Sequence, residues 1–291
     1  MNPRSVVVTE AAGGTGTAIT LVLAHAGFEV IAGCRTGEQA EAVRARAERT
    51  GVRVRTVLLD AADATSAVRA FTEVATVTGG GPWAVVNNAG FAQPGAVEDV
   101  DDDRARQQLE ANLVAPARIA RLVLPAMRER GDGRIVNVSS VAGRVSLPML
   151  GWYCASKQGL EAVTDALRME CAQFGVRVCL VEPGVQAARL RQAGAALLPE
   201  LRASAYRRQY AAAVRPAGRR EPSPVQVAQA VRGALTARRP LPRYPVGGGA
   251  RSAAALEALV PTAAADWAKQ LASGLRGVPP RVARAMGLPL P

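Results

Sequence analysis

Four polar side chains near the middle of the chain have types and spacings that suit acid–base chemistry. Tyr153 and Lys157 stand four residues apart, Ser140 lies thirteen residues before the tyrosine, and Asn112 lies twenty-eight before the serine. On a helix, a phenol and an ammonium at this spacing share one face about one turn apart. Unit charges about 4 Å apart at an effective dielectric of about 20 interact by roughly 4 kcal/mol, which can lower a tyrosine pKa from about 10 toward about 7. We therefore expect Tyr153 to serve as an acid or base near neutral pH.

The elements that must position these side chains follow from the hydrophobic pattern. Apolar β-rich runs alternate with stretches of helical length, and the predicted strands are 5–9, 29–33, 53–58, 83–87, 134–138, 176–181 and 243–246. The connections at 103–130 and 151–174 are predicted to be the largest helices. This alternation predicts an α/β fold, a Rossmann-type doubly wound parallel sheet between two layers of helices, with ligands at the carboxyl ends of the strands.

A glycine-rich turn joins the first predicted strand to the first predicted helix. The chain passes from Thr9 through Gly14, Thr15 and Gly16 into a helix-like stretch at 18–26. Glycines here let backbone N–H groups and the helix dipole approach a pyrophosphate, which a Cβ would hinder. Glycine pairs also occur in ordinary turns, but this position at the first strand–helix junction indicates a dinucleotide-binding turn.

The domain organisation follows from where the alternation weakens. Residues 1–190 are predicted to form a dinucleotide-binding and catalytic core, and residues 191–291 a substrate lid and helical C-terminal extension of the same domain. Helices are predicted around 197–214, 225–238 and 251–275. The last is amphipathic, and we interpret it as a packed surface helix, with a role at a membrane surface or a substrate entrance as the alternative.

Composition limits the class of protein. Hydrophobic residues make up 49% of the 291 residues, but no apolar run approaches the ~18 residues of a membrane span. The N-terminus lacks a signal-peptide pattern, so we expect a cytoplasmic protein without an integral membrane segment. The four cysteines are predicted to be buried thiols because their spacings suit neither disulfides nor metal ligands, and no metal site is predicted.

The charge pattern argues against a nucleic-acid partner. The formal net charge is +12, but the cations are almost all scattered arginines, and aromatic residues are only 4% of the chain. No basic block with interleaved aromatics offers a base-stacking surface, although the charge favours anionic ligands such as phosphates. The single histidine, His25, lies in the first predicted helix, which excludes a Ser-His-Asp hydrolase.

Together these features resemble the short-chain dehydrogenases/reductases over roughly residues 5–190. That family has a Thr-Gly-x-x-x-Gly-x-Gly turn, an Asn-Asn-Ala-Gly segment after the fourth strand, and an Asn, Ser, Tyr-x-x-x-Lys tetrad. This chain carries the second and third elements intact, as Asn87, Asn88, Ala89 and Gly90, and as Asn112, Ser140, Tyr153 and Lys157. Residues 153–157, 181–184 and, more weakly, 243–247 are most similar to the hydroxysteroid and retinol dehydrogenase branch.

The resemblance implies roles for the tetrad. Tyr153 would give its proton to a carbonyl oxygen as hydride arrives from a nicotinamide, or take it back in the oxidative direction. Lys157 would lower the tyrosine pKa and hold the nicotinamide ribose, and Ser140 would bind the carbonyl oxygen. Asn112 would anchor a water that relays protons to Lys157. The structural alternatives are a helix-surface Tyr/Lys pair, a strand-end serine and a helix-interior asparagine.

The resemblance also implies a cofactor site. Its predicted members are Thr9, Gly14, Thr15, Gly16, Arg35, Thr36, Asp60, Asn88, Ala89, Gly90, Tyr153, Lys157, Pro183, Gly184 and Val185. An NAD-selective site would carry an acid at Cys34, whereas here Arg35 follows and could meet a 2′-phosphate, so NADP(H) is preferred over NAD(H). Thr36 can add a hydroxyl contact. Asp60 matches the family's aspartate beside the adenine, with a strand-end cap as the alternative.

Two residues depart from the family pattern. Glu10 replaces the first glycine of the turn, where a side chain can demand an unfavourable backbone angle and a carboxylate could face the phosphates. Ala188 replaces the usual threonine that contacts the nicotinamide carboxamide, which removes a hydrogen bond of order 1 kcal/mol. Both departures predict weaker cofactor binding or another use of the fold.

The substrate side is predicted from the residues around Tyr153. One wall would be apolar, built from Val145, Leu147, Pro148, Met149, Leu150 and Trp152. The loop after Gly90 and residues 186–224 would form the other wall and the lid. We therefore predict a hydrophobic ketone or alcohol, such as a steroid-like, polyketide or terpenoid compound; alternatively, 147–152 pack against the lid or a neighbouring subunit.

The leading hypothesis is an NADP(H)-dependent ketoreductase or alcohol dehydrogenase that works as a homodimer or homotetramer. One alternative is a non-redox dehydratase, cyclase or isomerase that reuses Tyr153, which Glu10 and Ala188 favour. Another is a catalytically silent cofactor-sensing or interaction protein, which the intact tetrad disfavours.

Overall fold

A seven-stranded parallel sheet forms the centre of the molecule. The computed structural model describes residues 4–184, 203–213, 221–247, 255, 257 and 259–276. The strands are β1 (Ser5–Val8), β2 (Glu29–Cys34), β3 (Arg55–Leu58), β4 (Ala84–Asn87), β5 (Gly133–Val138), β6 (Val176–Pro183) and β7 (Arg243–Val246). Their order in the sheet is β3-β2-β1-β4-β5-β6-β7, and every pair is parallel. The direction of strand succession reverses between β1 and β4, so a ligand crevice is expected at their carboxyl ends.

Helices cover both faces of this sheet. They are α1 (Gly14–His25), α2 (Gly37–Arg49), α3 (Ala64–Thr78), α4 (Asp102–Leu109), α5 (Ala115–Arg130), α6 (Gly151–Cys171), α7 (Arg207–Ala213), α8 (Pro224–Thr236) and α9 (Thr262–Ala272). Strand β1 shows why the layers form: Val7 packs with α3 and α5 on one face, and Val6 and Val8 pack with α1 and α8 on the other. A strand buried on both faces needs a continuous apolar run, which β1 has. The predicted α/β fold is confirmed.

The predicted helix at 103–130 is interrupted. A π-helical turn at Glu110–Val114 separates α4 from α5 and contains the fully buried Asn112. Wide turns of this kind are rare and occur mostly at functional sites, because the extra residue reorients a side chain.

The C-terminal elements are described only in part. Of the helix expected at 197–214, the structure describes α7, and residues 197–202 and 214 lie outside the described part. The helix expected at 251–275 is represented by α9. No helix among the described residues has both the length and the apolar character to cross a membrane. All four cysteines are buried free thiols, as predicted.

Candidate functional site

Helix α6 carries the predicted acid–base pair and anchors it to the end of β5. Tyr153 lies half-buried in the first turn, and Lys157 lies one turn later with only 5% of its surface exposed. The Lys157 ammonium donates a hydrogen bond to the Val138 carbonyl at 3.0 Å. Burial lowers the pKa of Lys157 to about 8, and the negative charges of Glu10 and Glu161 partly oppose that shift. The cation is therefore held at the end of β5, next to the predicted active-site serine.

Ser140 begins the short 3-10 turn that follows β5. Its hydroxyl accepts a hydrogen bond from the Ala142 N–H at 3.2 Å, which fixes the side chain at the start of the turn at Val141–Gly143. The turn packs so closely on α6 that a Cβ at Gly143 would overlap the Glu161 carboxylate. Ser140 and Lys157 thus reach the same edge of the sheet, as their predicted roles require.

Asn112 is held by three hydrogen bonds to protein atoms. Its amide nitrogen donates to the Phe91 carbonyl at 2.8 Å and to the Ser156 hydroxyl at 2.9 Å, and its amide oxygen accepts from the Phe91 N–H at 3.0 Å. Both side-chain N–H donors are used, so Asn112 locks α6 to the loop after β4. The sequence did not indicate that Ser156 would bind Asn112, because only the π turn that buries Asn112 brings the two side chains together.

The loop after β4 is tied to the end of β1 by Thr9. The Thr9 hydroxyl accepts from the backbone N–H groups of Asn88 at 3.0 Å and Ala89 at 2.8 Å. The Asn88 side chain returns a hydrogen bond to the Thr9 carbonyl at 3.0 Å. These contacts bring the glycine turn and the segment Asn88, Ala89 and Gly90 to one place, as the predicted cofactor site requires.

Glu10 has the unfavourable backbone angle predicted for it. Its φ of 52° lies in the left-handed region, which costs a residue other than glycine roughly 1–2 kcal/mol. The turn is tightly packed, because a Cβ at Gly16 would overlap the Glu10 carbonyl oxygen. The Glu10 carboxylate accepts a hydrogen bond from the Gly90 N–H at 3.1 Å. A charged side chain therefore reaches into the predicted cofactor site.

A cavity of about 850 Å³ opens beside this turn. Predicted cofactor residues line it, together with residues from three loops and from α4 and the π turn: Glu10, Arg35, Leu59, Asp60, Ala61, Ala62, Ala89, Gly90, Phe91, Arg106, Gln107, Leu109, Glu110, Ala111 and Val114. Its size suits a nucleotide-sized ligand. Small side chains at 61, 62, 89 and 90 leave the space open, and Arg35 adds a cation at one end. These residues fit a phosphorylated dinucleotide, with Glu10 as the opposing feature.

Some of the other predicted cofactor residues already make hydrogen bonds within the protein, and some lie outside the described residues. The Thr36 hydroxyl caps α2 by accepting from the Gln39 N–H at 3.2 Å. The Asp60 carboxylate, exposed at the cavity, accepts from the Ala62 N–H at 3.0 Å, which is the strand-end cap considered above. Gly184 follows β6 and donates its N–H to the Val246 carbonyl at 2.9 Å. Val185 and Ala188 lie outside the described residues.

Sequence reasoning missed the cavity wall formed by α4 and the π turn. Arg118 on α5 holds the opposite loop, because its guanidinium donates to the carbonyls of Ala61 at 3.2 Å and Ala62 at 3.4 Å and pairs with Glu110. No motif marks these residues. Their only signal is that they flank the predicted Asn112.

The loop before α6 and the loop after β4 lie side by side at the substrate end. The Gly95 N–H donates to the Met149 carbonyl at 2.8 Å, and Gly95 pairs with Leu150 as a parallel bridge. Residues 147–152 are half-buried, so an apolar surface remains partly open next to Tyr153. The Tyr210 hydroxyl donates to the Asp99 carboxylate at 2.7 Å and accepts from the Ala96 N–H at 2.7 Å. Tyr210 thus ties α7 to the loop after β4.

A buried ionic network lies behind the Ser140 turn. Arg243 at the start of β7 hydrogen-bonds Glu161, Glu182 at 2.6 Å, and Asp165. Glu161 in turn accepts from the Ser139 hydroxyl at 3.0 Å. Burial raises the pKa of Glu161, and the nearby Glu182 raises it further. The network joins α6, β6 and β7 through one arginine.

Among the described residues, no group of three or more His, Cys, Asp or Glu side chains is placed to hold a metal ion.

Comparison with known proteins bears on this geometry. The family model for short chain dehydrogenases matches residues 4–196. An uncharacterized oxidoreductase, YbbO, from Escherichia coli strain K12 is 39% identical over 181 residues, which cover 62% of this chain and 65% of that protein. Retinol dehydrogenase 16 from Mus musculus is 39% identical over 186 residues, which cover 63% and 57%. The chain thus matches less than two thirds of the length of these relatives.

A solved structure extends the likeness to the fold. The crystal structure of a metagenomic short-chain oxidoreductase in complex with NADP aligns with a TM-score of 0.67 at 26% identity and covers 84% of this chain and 96% of that one. In this chain the corresponding sheet and helices carry the tyrosine–lysine pair on α6, and Gly90, next to Lys157, lines the nucleotide-sized cavity. The chain belongs to the short-chain dehydrogenase/reductase family.

Proposed function

We propose that this protein is an NADP(H)-dependent oxidoreductase that interconverts a hydrophobic ketone and a secondary alcohol. The observation that carries the proposal is the placement of Tyr153 and the buried Lys157 on α6 at the sheet edge that also holds Ser140. Gly90, which lines the cavity, lies next to Lys157 and so connects this edge to the cavity. In this site an acid–base group, a cation and a hydroxyl can act on one carbonyl oxygen.

Each side chain has one task in the reaction. When bound, the nicotinamide supplies or accepts a hydride at the substrate carbon. In the reductive direction Tyr153 gives its phenolic proton to the substrate oxygen and becomes a phenolate, which the Lys157 cation stabilises. Ser140 donates a hydrogen bond to the same oxygen and so stabilises the charge that develops there. In the oxidative direction the Tyr153 phenolate takes the alcohol proton.

Arg35 supports a preference for NADP(H). It lies at the cavity, directly after β2, and no acid precedes it at Cys34. A guanidinium at this position can pair with a 2′-phosphate, whereas a ribose hydroxyl would need an acceptor. The complex of a structural relative with NADP is consistent with this assignment.

The substrate class rests on the apolar surface around residues 147–152. A relative that is 39% identical is named a retinol dehydrogenase, and retinol is an apolar alcohol. Both points favour a hydrophobic ketone or alcohol over a sugar. Cytoplasmic location, assembly as a homodimer or homotetramer, and the division at residue 190 stay predictions.

A non-redox reaction is the second candidate, because Glu10 places a carboxylate in the cofactor cavity. A dehydratase or isomerase would use Tyr153 as acid and base without a hydride donor.

Transfer of deuterium distinguishes the two candidates. The protein would be incubated with NADPH deuterated at C4 of the nicotinamide and a panel of apolar ketones, and the products would be examined by mass spectrometry. We expect an alcohol that carries one deuterium from the wild-type protein and none from Tyr153→Phe. Conversion of substrate without deuterium, or no conversion while NADPH is bound, would contradict the proposed redox function.

A further inference from the structure

Glu10 is the residue that the family pattern does not explain. It holds a strained backbone angle, and its carboxylate lines the cavity proposed for the cofactor. A strained conformation at a site indicates a role when the surroundings hold it in place. One group of the site hydrogen-bonds this carboxylate, and a second interacts with its charge.

The first group is the Gly90 N–H, which donates to the Glu10 carboxylate at 3.1 Å. The second is the Lys157 ammonium. A Cβ built on Gly90 would lie 3.5 Å from the Lys157 nitrogen, so Gly90 has the carboxylate at its N–H and the cation close to its Cα. In agreement with this geometry, the charge of Glu10 supports the protonated form of Lys157, as does Glu161 from its own helix.

We propose that the Glu10 carboxylate is an internal competitor of the cofactor, and that it sets cofactor affinity by taking the Gly90 N–H and balancing the Lys157 charge. This inference rests on the proposed function, because it assigns the regulation of that same site. An incoming dinucleotide carries at least two negative charges on its pyrophosphate, and a fixed carboxylate in the same cavity repels them. The dinucleotide must displace the carboxylate or offer it ribose hydroxyls.

In this role Glu10 sets the affinity for the cofactor and is not a catalytic residue. Glu10 stays clear of the reacting atoms in this account, since Tyr153, Ser140 and Lys157 handle the carbonyl oxygen. Its effect reaches the reaction through the Lys157 cation and through the space that the carboxylate occupies. Removing the charge should therefore strengthen the binding of NADPH and lower the pKa of Lys157.

Three variants separate charge from strain. Glu10→Gln keeps the side-chain shape and an acceptor oxygen but loses the charge, and Glu10→Gly also removes the left-handed strain. Glu73→Gln, an exposed acid on α3, changes the net charge equally at a distance and serves as the control. In calorimetric titrations the Kd for NADPH should fall by about fivefold or more in Glu10→Gln and Glu10→Gly, and should not change in Glu73→Gln.

A second readout needs no dinucleotide. The chain contains two lysines, Lys157 and Lys269, so ¹³C labelling at the lysine ε position gives two signals. Their titration between pH 6 and 11 measures the Lys157 pKa directly. We expect that pKa to fall by about half a unit or more in Glu10→Gln, with Lys269 unchanged.

The outcomes separate the inference from the proposed function. Tighter NADPH binding in both Glu10 variants, with a lower Lys157 pKa in Glu10→Gln, supports the inference. Equal binding by the wild type and both variants, or an unchanged Lys157 pKa, overturns it while leaving the redox function in place. If neither the wild type nor Glu10→Gly binds any nicotinamide dinucleotide, the proposed function itself fails, and the competitor role fails with it.

Discussion

The two halves of the candidate site are built in different ways. In the half at α6, Tyr153 and Lys157 are close in sequence, and the cation is fixed by the Val138 carbonyl at the end of the adjacent strand. In the half at the glycine turn, the decisive contact joins Glu10 to Gly90, eighty residues away. The α6 half follows the family pattern at each position, whereas the turn carries an acid in place of a glycine. The comparison indicates that chemistry at the carbonyl and affinity for the cofactor can vary separately in this fold.

The largest effect is expected from removing the Tyr153 hydroxyl, which should abolish most of the catalytic activity of the α6 half. Tyr153→Phe is expected to lower kcat by about 10³-fold or more, because general acid–base catalysis contributes about 10²- to 10⁴-fold and no neighbouring group replaces the phenol. The Kd for NADPH should stay within about twofold, since the change leaves Lys157 and the turn intact. Tyr244→Phe, on β7 and outside the predicted lid, serves as the control. Equal losses in the two variants would show that Tyr153 has no special role.

The next effect in size is expected from the ionic network of Arg243 that lies behind the Ser140 turn. Arg243→Ala is expected to lower the free energy of unfolding at pH 7 by about 3 kcal/mol. It leaves the buried Glu182 without its cation and leaves the buried Glu161 with only the more distant Arg144, at 3.9 Å. Urea denaturation at pH 7 and pH 5 measures this loss.

The pH dependence of that loss has a defined sign. The pKa of Glu161 is already raised in the folded protein, so its ionised form costs stability above the unfolded pKa, and that cost disappears as the carboxyl gains its proton. The defect of Arg243→Ala should therefore shrink at pH 5. Arg177→Ala, an exposed arginine on the neighbouring β6, should change stability little at either pH. A defect of the same size at both pH values would contradict the account of the network.

A substitution of Arg35 tests the cofactor half of the site through its preference between NADPH and NADH. Arg35→Asp is expected to weaken NADPH binding by about 30-fold or more and NADH binding far less, because it exchanges a partner of the 2′-phosphate for a repelling charge. Arg46→Asp, exposed on α2, makes the same change of charge away from the cavity. Calorimetric titration of both variants checks the prediction. An unchanged ratio of NADPH to NADH affinity in Arg35→Asp would contradict the assignment of NADP(H).

The smallest effect expected is a gain of stability. Burial lowers the pKa of Lys157 from its ordinary value to about 8, so the ammonium costs folding free energy below that pH, and the cost vanishes above the unfolded pKa of about 10.5. Lys157→Met should thus abolish activity yet raise the free energy of unfolding at pH 7 by about 1 kcal/mol, after the loss of the hydrogen bond to Val138. Denaturation at pH 7 and 10.5 should show the gain only at the lower pH. Destabilisation at pH 7 would mean that the cation stabilises the fold.

Local patterns in the sequence were sufficient to predict most of the fold. The alternation of strands and helices predicted all seven strands to within a few residues. The signal is strongest in central strands such as β1 and β4, which are buried along their whole length because helices cover both faces of the sheet. The π turn around Asn112 was not predicted, since helical periodicity does not distinguish a single wide turn from a regular one.

In the candidate site, the sequence predicted the residues that belong to a local motif or a characteristic spacing, but not the contacts between distant residues. The strain at Glu10 followed from its place in a glycine motif, and the φ of 52° confirms it. The bond from Gly90 to Glu10, and the bond from Arg243 to Glu161, join residues about eighty positions apart. No local pattern specifies such pairs, because they depend on which strand ends the topology brings together.

The most direct test of the central claim is a calorimetric titration of the purified protein with NADPH and with NADH. The account predicts binding of NADPH with a micromolar Kd, weaker binding of NADH, and a loss of the difference in Arg35→Asp. If neither dinucleotide binds to the wild type or to Glu10→Gly, the cavity beside Glu10 is not a nicotinamide cofactor site, and a non-redox reaction at Tyr153 becomes the better account.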